Sequence, residues 1–379
     1  MFNFSRKFAA LIFILLWCVS GVAAQSRWTE QKAKDWYAAQ GWLVGANFVP
    51  ASAINELEMW QAETFDAKRI DLELAWAESI GMNTMRVFLH DLAYQQDPEG
   101  FKKRLNQFLE ISAKHKIKPM LVLFDSVWDP NPQIGRQRAP RPGVHNSGWV
   151  QSPGAKALAN PSEYARLEKY VKDVVGSFAK DKRINSWDIW NEPDNLNGGD
   201  YAKQDPSNKG ELINRLLPLA FQWARAVKPE QPLTSGVWKG DYAKGNLDAT
   251  EKIQIENSDF ITFHTYEPAE EFEKRVVFLQ KYNRPVVCTE YMARPRGSTF
   301  VAILPVGKKY NVGMINWGFV QGKSQTNYPW DSWEKPYVEY EPWIWFHDVF
   351  RTDGTPYLRE ETDLIKRLTG KVKTMSATK

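Results

Sequence analysis

Cysteine is almost missing from this chain, with two residues in 379, Cys18 and Cys288. Cys18 lies in an apolar leader, so Cys288 stands alone in the rest of the chain and an intrachain disulfide is excluded. Stability must come from core packing. A long hydrophobic run is also lacking. The longest, residues 8–19, is too short to cross a bilayer comfortably, and no later stretch does better. Charge of one sign is lacking too: 49 Lys and Arg stand against 45 Asp and Glu, a formal net charge of +4. Arg6 and Lys7 supply two of those charges, and what remains is too balanced to argue for nucleic acid or an anionic membrane as partner. Repeats, low-complexity tracts and Ser/Pro-rich linkers are absent, so the body reads as one domain.

What is present begins with Arg6 and Lys7, the apolar residues 8–19, and Val22-Ala23-Ala24 before Gln25. That order of charge, apolar core and small residues is the pattern of a secretory signal. The expected organisation is a leader over 1–24 and a single domain over 25–379, exported to the periplasm or the medium and monomeric. Trp17, where a lipoprotein site needs a small residue, argues against lipid attachment at Cys18. The 17 Trp suit a protein that stacks flat rings on its ligand, and equally a large aromatic core.

The body alternates. Short apolar or β-branched runs occur at 42–48, 84–89, 118–124, 184–190, 233–238, 260–266, 285–290 and 312–319. Amphipathic stretches separate them, among them 69–79, 98–115, 162–180, 210–227, 269–282 and 298–309. Alternation of this kind predicts parallel strands joined by helical crossovers, and eight strands is the number of a (β/α)8 TIM barrel. The fifth helix, over 247–256, is short and poorly periodic, so a truncated helix or loop is expected there. Two connections, 125–160 and 320–357, are too long for plain turns, and long connections in compact domains usually carry function. The first holds Trp128, His145 and Trp149; the second holds Trp330, Trp333, Tyr337, Trp343 and Trp345. Most of these aromatics fit a hydrophobic cluster under a lid, with one or two left to line a subsite.

Asp188-Ile189-Trp190-Asn191-Glu192-Pro193 ends the fourth run, and Pro285-Val286-Val287-Cys288-Thr289-Glu290-Tyr291 ends the seventh. One strand-end glutamate alone reads as a helix cap or surface pair. Two on the face where barrel enzymes hold their sites point to acid/base chemistry on a sugar. With them belong Arg86 in the second run, Asn191 beside Glu192, His264 and Tyr266 in the sixth, and Trp317 in the eighth.

This set resembles clan A of the glycoside hydrolases, the (β/α)8 retaining enzymes that include the family 5 cellulases and mannanases. The resemblance implies Glu192 as acid/base and Glu290 as nucleophile of a double displacement. Arg86 beside Glu290 would keep that carboxylate ionised, and Tyr266 would donate to it. Asn191 would meet the sugar 2-hydroxyl, Trp317 would face the ring, and His264 would touch the acid/base or the substrate. Family 5 usually has histidine at the end of the third strand, where this chain has Asp125-Ser126, so that subsite falls to Asp125, Trp128 or His145. Arg294 and Arg296 follow Glu290 closely enough to meet a polar group of the substrate. Asp125, Asp129 and Asp194 lack the spacing of metal ligands, and neither metal nor cofactor is expected. The implied activity is cleavage of a β-linked polysaccharide or oligosaccharide. A transglycosylase with the same residues, and a carbohydrate-binding barrel without catalysis, are the alternatives. Which sugar arrives is not written in these residues.

Overall fold

The structure, a computed structural model, describes residues 25–372, so the expected leader lies outside the described residues. Eight strands form one all-parallel sheet: β1 Val44–Phe48, β2 Thr84–Phe88, β3 Met120–Asp125, β4 Ser186–Asn191, β5 Leu233–Thr234, β6 Ile261–His264, β7 Val286–Glu290 and β8 Gly313–Asn316. β1 pairs with both β2 and β8. The remaining gap, between β5 and β6, is bridged by Val237 against Phe263, with the Val237 N–H donating to Thr262 and the His264 N–H to Val237. The sheet is therefore a closed TIM barrel. All eight strands fall within the apolar runs of the sequence, apart from Asn191 and Asp125 one residue beyond their runs. β5 is reduced to two residues because Ser235 and Gly236 supply neither apolar nor branched side chains.

The crossover helices follow from local chemistry. Asp66, Asp97 and Thr299 each accept a backbone N–H of the first turn of the helices Ala67–Ser79, Pro98–Lys114 and Phe300–Lys309. Gly81, at φ +85°, turns the chain from the first of these toward β2. The segment expected to be a truncated helix or loop is a nine-residue helix, Ala249–Asn257, started by a reciprocal capping box between Asp248 and Glu251. The helix Arg359–Thr369 follows β8 and completes the strand–helix alternation, while Glu30–Gln40 precedes β1 and lies outside it.

The long loops roof the carboxyl-terminal mouth of the barrel. After β3 the chain returns on itself through bridges between Asp125 and Ser152 and between Asp129 and Val150, which carries Trp149 back over the mouth. The loop after β8 is stitched to it: the His145 N–H donates to Ser332 Oγ at 2.9 Å and the Asn146 N–H to the Ser324 carbonyl at 2.8 Å. Arg294 is the strut beneath. Its guanidinium pairs with Glu361 and donates to the carbonyls of Trp345, His347 and Asp348, all in buried surroundings.

Candidate active site

The barrel aims seven of the candidate residues at one another. Arg86, fully buried in β2, donates Nη1 to Glu290 Oε1 at 2.9 Å and Nη2 to Asn191 Oδ1 at 2.7 Å. Tyr266 donates its hydroxyl to Glu290 Oε2 at 2.8 Å. His264 Nδ1 lies 2.9 Å from Glu192 Oε1 and 3.6 Å from Glu290 Oε2. Asn191 passes the connection on by donating Nδ2 to Asp125 Oδ1 at 2.9 Å. Asp125 also accepts the indole N–H of Trp149 at 2.5 Å. Glu192 follows β4 with φ +42°, a conformation that side-chain-bearing residues rarely hold unless their surroundings impose it.

Trp317, Trp128 and His145, three more candidates, line the same cleft of about 490 Å³ as both glutamates. Trp317 comes directly after β8 rather than within it. Arg296 also borders this cleft and pairs with Glu267 at 2.8 Å. Arg294, expected near the substrate, is instead the buried strut beneath the loops, because its five donors are all directed inward.

Four residues that the sequence did not single out complete the arrangement. Asp188, two places inside β4 from its polar end, receives Nε and Nη2 of Arg86 on Oδ2 at 3.0 and 2.8 Å. Asn47 in β1 accepts Arg86 Nη1 at 3.0 Å. Asn195 donates to Glu192 Oε2 at 2.6 Å. Trp238 lines the cleft beyond it. Asp188 carried a usable signal, since an acidic residue inside an apolar strand of a closed barrel requires a buried cation, and Arg86 is the one on a facing strand.

The electrostatics separate the two glutamates. Burial raises both carboxyl pKa values, Glu192 to about 7. For Glu192 the main opposing contact is the Asn195 amide. Glu290 has the Arg86 guanidinium and the Tyr266 hydroxyl favouring its ionised form, so it is the stronger acid of the two. Burial lowers His264 to about 4, which leaves the ring neutral and makes its contact with Glu192 a hydrogen bond rather than an ion pair. Asp125 is raised to about 7 by burial, against the donors Trp149 and Asn191.

Glu192, His264 and Glu290 each offer one ligand atom, and the three atoms lie within 4.8 Å of one another. A divalent ion would fit that spacing, but it would have to share Glu290 with the guanidinium of Arg86. The same spacing brings the carboxyls as close as a retaining glycosidase requires, about 5 Å rather than the wider gap that admits a water in inverting enzymes.

Fold and site together define a class: a (β/α)8 barrel with one carboxyl at the end of the fourth strand and its partner at the end of the seventh. In this the chain resembles the clan A glycoside hydrolases. The sequence profile of glycosyl hydrolase family 10 matches residues 144–252, a span that includes Asn191 and Glu192. A search of curated proteins returns no match. Among solved structures the fold is similar to an exo-β-1,4-mannosidase from Opitutaceae bacterium strain TAV5, at TM-score 0.57 and 17% identity over 87% of this chain and 59% of that one. The chain thus spans less than two thirds of that mannosidase. It is also similar to the GH5_18 protein of Streptomyces cattleya, solved with GlcNAc, at TM-score 0.59 and 11% identity over 88% and 82% of the two chains. A third relative in fold is the endo-β-1,4-mannanase of Thermotoga petrophila, at TM-score 0.56 and 14% identity over 90% and 78%.

Proposed function

We propose that this protein is an exported, monomeric retaining β-glycoside hydrolase that cleaves β-linked oligosaccharides or polysaccharides by double displacement. The carrying observation is the close carboxyl pair in the cleft, with a cation and a phenol on Glu290 and neither on Glu192. Glu290, the stronger acid, attacks the anomeric carbon. Glu192, still protonated near neutral pH, donates to the leaving oxygen and then, as carboxylate, takes a proton from the water that hydrolyses the glycosyl-enzyme. Asn191 keeps one amide hydrogen for the sugar 2-hydroxyl, since its oxygen accepts from Arg86 and its other hydrogen goes to Asp125. Trp317 offers an apolar face to the ring bound there.

The activities of two fold relatives make β-mannosides the first substrates to try. The reading gives the Glu192, His264 and Glu290 trio to proton and glycosyl transfer and needs no metal. Activity that disappears in chelator and returns with a divalent ion would count against it. The deciding experiment is azide rescue. Glu290→Ala and Glu192→Ala should each lose at least about a thousandfold in kcat on a β-glycoside with a poor leaving group. On an aryl β-glycoside whose leaving group departs without protonation, azide should restore turnover in both, giving an α-glycosyl azide from Glu290→Ala and a β-glycosyl azide from Glu192→Ala. A Glu290→Ala protein that remains fully active would overturn the assignment.

A further inference from the structure

The cleft is open on one side of the scissile position and shut on the other. β4 and β8 stand opposite each other in the eight-strand ring, so Glu192 and Trp317 face across the barrel mouth. The leaving oxygen belongs on the side of Glu192, its proton donor, and the sugar whose anomeric carbon is attacked extends from Glu290 toward Trp317. Past Trp317 there is a wall. Trp317, Phe88 and Trp149 meet edge to face with ring centroids 5.1–6.0 Å apart. The space behind them is about 20 Å³, room for about one water and not for a second sugar.

On the Glu192 side the cleft continues. A second chamber of about 660 Å³ shares Val127, Trp128, Asn195 and Trp330 with the first. Trp333 stacks behind Trp128 with centroids 4.6 Å apart and planes 24° off parallel, and Tyr201 meets the edge of Trp333. Trp128 lines both chambers and is backed on one side by Trp333. Its backbone is held at φ +64° while its N–H donates to Asn197 Oδ1 at 2.6 Å. A flat indole, buttressed from behind and anchored through its backbone, is a rigid platform for the apolar face of a sugar ring.

We infer that the protein acts from the non-reducing end, releasing one sugar at each event, and that Trp128 is the platform for the next sugar of the chain. The inference rests on the hydrolase reading and specifies its substrate. A residue bound against the Trp317 wall has no room for a further sugar, so it is the terminal one, while the chain that remains lies along the open chamber.

The test follows the earliest products from a β-linked tetrasaccharide labelled at its reducing end. One free monosaccharide with a labelled trisaccharide is expected first. Labelled mono- or disaccharide appearing first would show reducing-end or internal cleavage and overturn this inference while leaving the hydrolase reading intact. Hydrolysis of no glycoside at all would overturn both. For the platform, Trp128→Ala should raise KM for the tetrasaccharide about tenfold relative to its effect on a methyl β-glycoside, and Trp128→Phe should recover most of that. Equal losses on both substrates, or a selective loss in Trp238→Ala and not in Trp128→Ala, would overturn the assignment to Trp128.

Discussion

Arg86 and Asp188 form a closed ion pair inside the barrel: two guanidinium nitrogens converge on one carboxylate oxygen at 2.8 and 3.0 Å, and both side chains are fully buried. Asp188 thereby fixes the plane of the guanidinium, and with it the direction in which Nη1 reaches Glu290. Asp188→Ala would leave a buried cation with a single acidic partner, Glu290. Removing one member of a buried pair costs about 3–5 kcal/mol. Urea unfolding should register a loss in that range, with Asp188→Asn milder because one acceptor remains. An unchanged midpoint in Asp188→Ala would show that the pair does not hold the barrel together.

This pair also marks where the sequence stopped being legible. The two glutamates stood out because apolar strands of a parallel barrel all end on one face, so a polar residue closing such a run is placed without knowing any contact. Asp188 and Asn47 lie within their strands, and their partner depends on barrel closure, which no local pattern encodes. Asn195 reaches Glu192 only because the backbone turns at Glu192 through a positive φ that its residue type does not announce. Arg294 looked like a substrate contact by proximity to Glu290, yet whether a loop arginine points out or in was decided by carbonyls more than fifty residues later.

Asn195 gives a prediction with a definite sign. With Glu192 at about 7, kcat/KM should fall about tenfold per unit above that pH as the proton donor is lost. The Asn195 amide hydrogen favours the ionised carboxylate, so its removal makes the proton harder to lose. Asn195→Ala should therefore move the alkaline limb of kcat/KM to higher pH. A limb that stays put or moves down would refute the assignment of that limb to Glu192.

Glu56 presents the opposite case, a buried acid with no hydrogen-bond partner on either oxygen among the described residues. Burial pushes its pKa well above the usual carboxylate range, and the negative charges of Asp125 and Asp91 add to the push. The sign is fixed by that direction: a raised folded pKa gives stability that is complete below the unfolded value of about 4.3 and is lost as pH rises toward the folded one. Across that window wild type should lose up to about 1.4 kcal/mol per pH unit relative to Glu56→Gln. Denaturant midpoints of both proteins at pH 5 and pH 8 measure this. Parallel pH profiles would mean that Glu56 ionises freely in the fold.

Asp125 stands where the family 5 pattern has histidine, and it acts through its neighbour. It accepts one hydrogen of the Asn191 amide while Arg86 donates to the amide oxygen, so the remaining Asn191 hydrogen is the one that the proposed mechanism assigns to the sugar 2-hydroxyl. In Asp125→Ala the Asn191 amide loses that hold and the Trp149 indole N–H loses its acceptor. Leaving such buried donors unmatched costs about 1–3 kcal/mol, or about ten- to a hundredfold in kcat/KM where the lost geometry serves the transition state. The discriminating substrate is a 2-deoxy glycoside. If Asp125 works by orienting Asn191, the variant's deficit should largely vanish on a sugar without the hydroxyl that Asn191 meets, because the two deletions remove one interaction. A deficit of equal size on both sugars would assign Asp125 to support of Trp149 and the loop above the cleft instead.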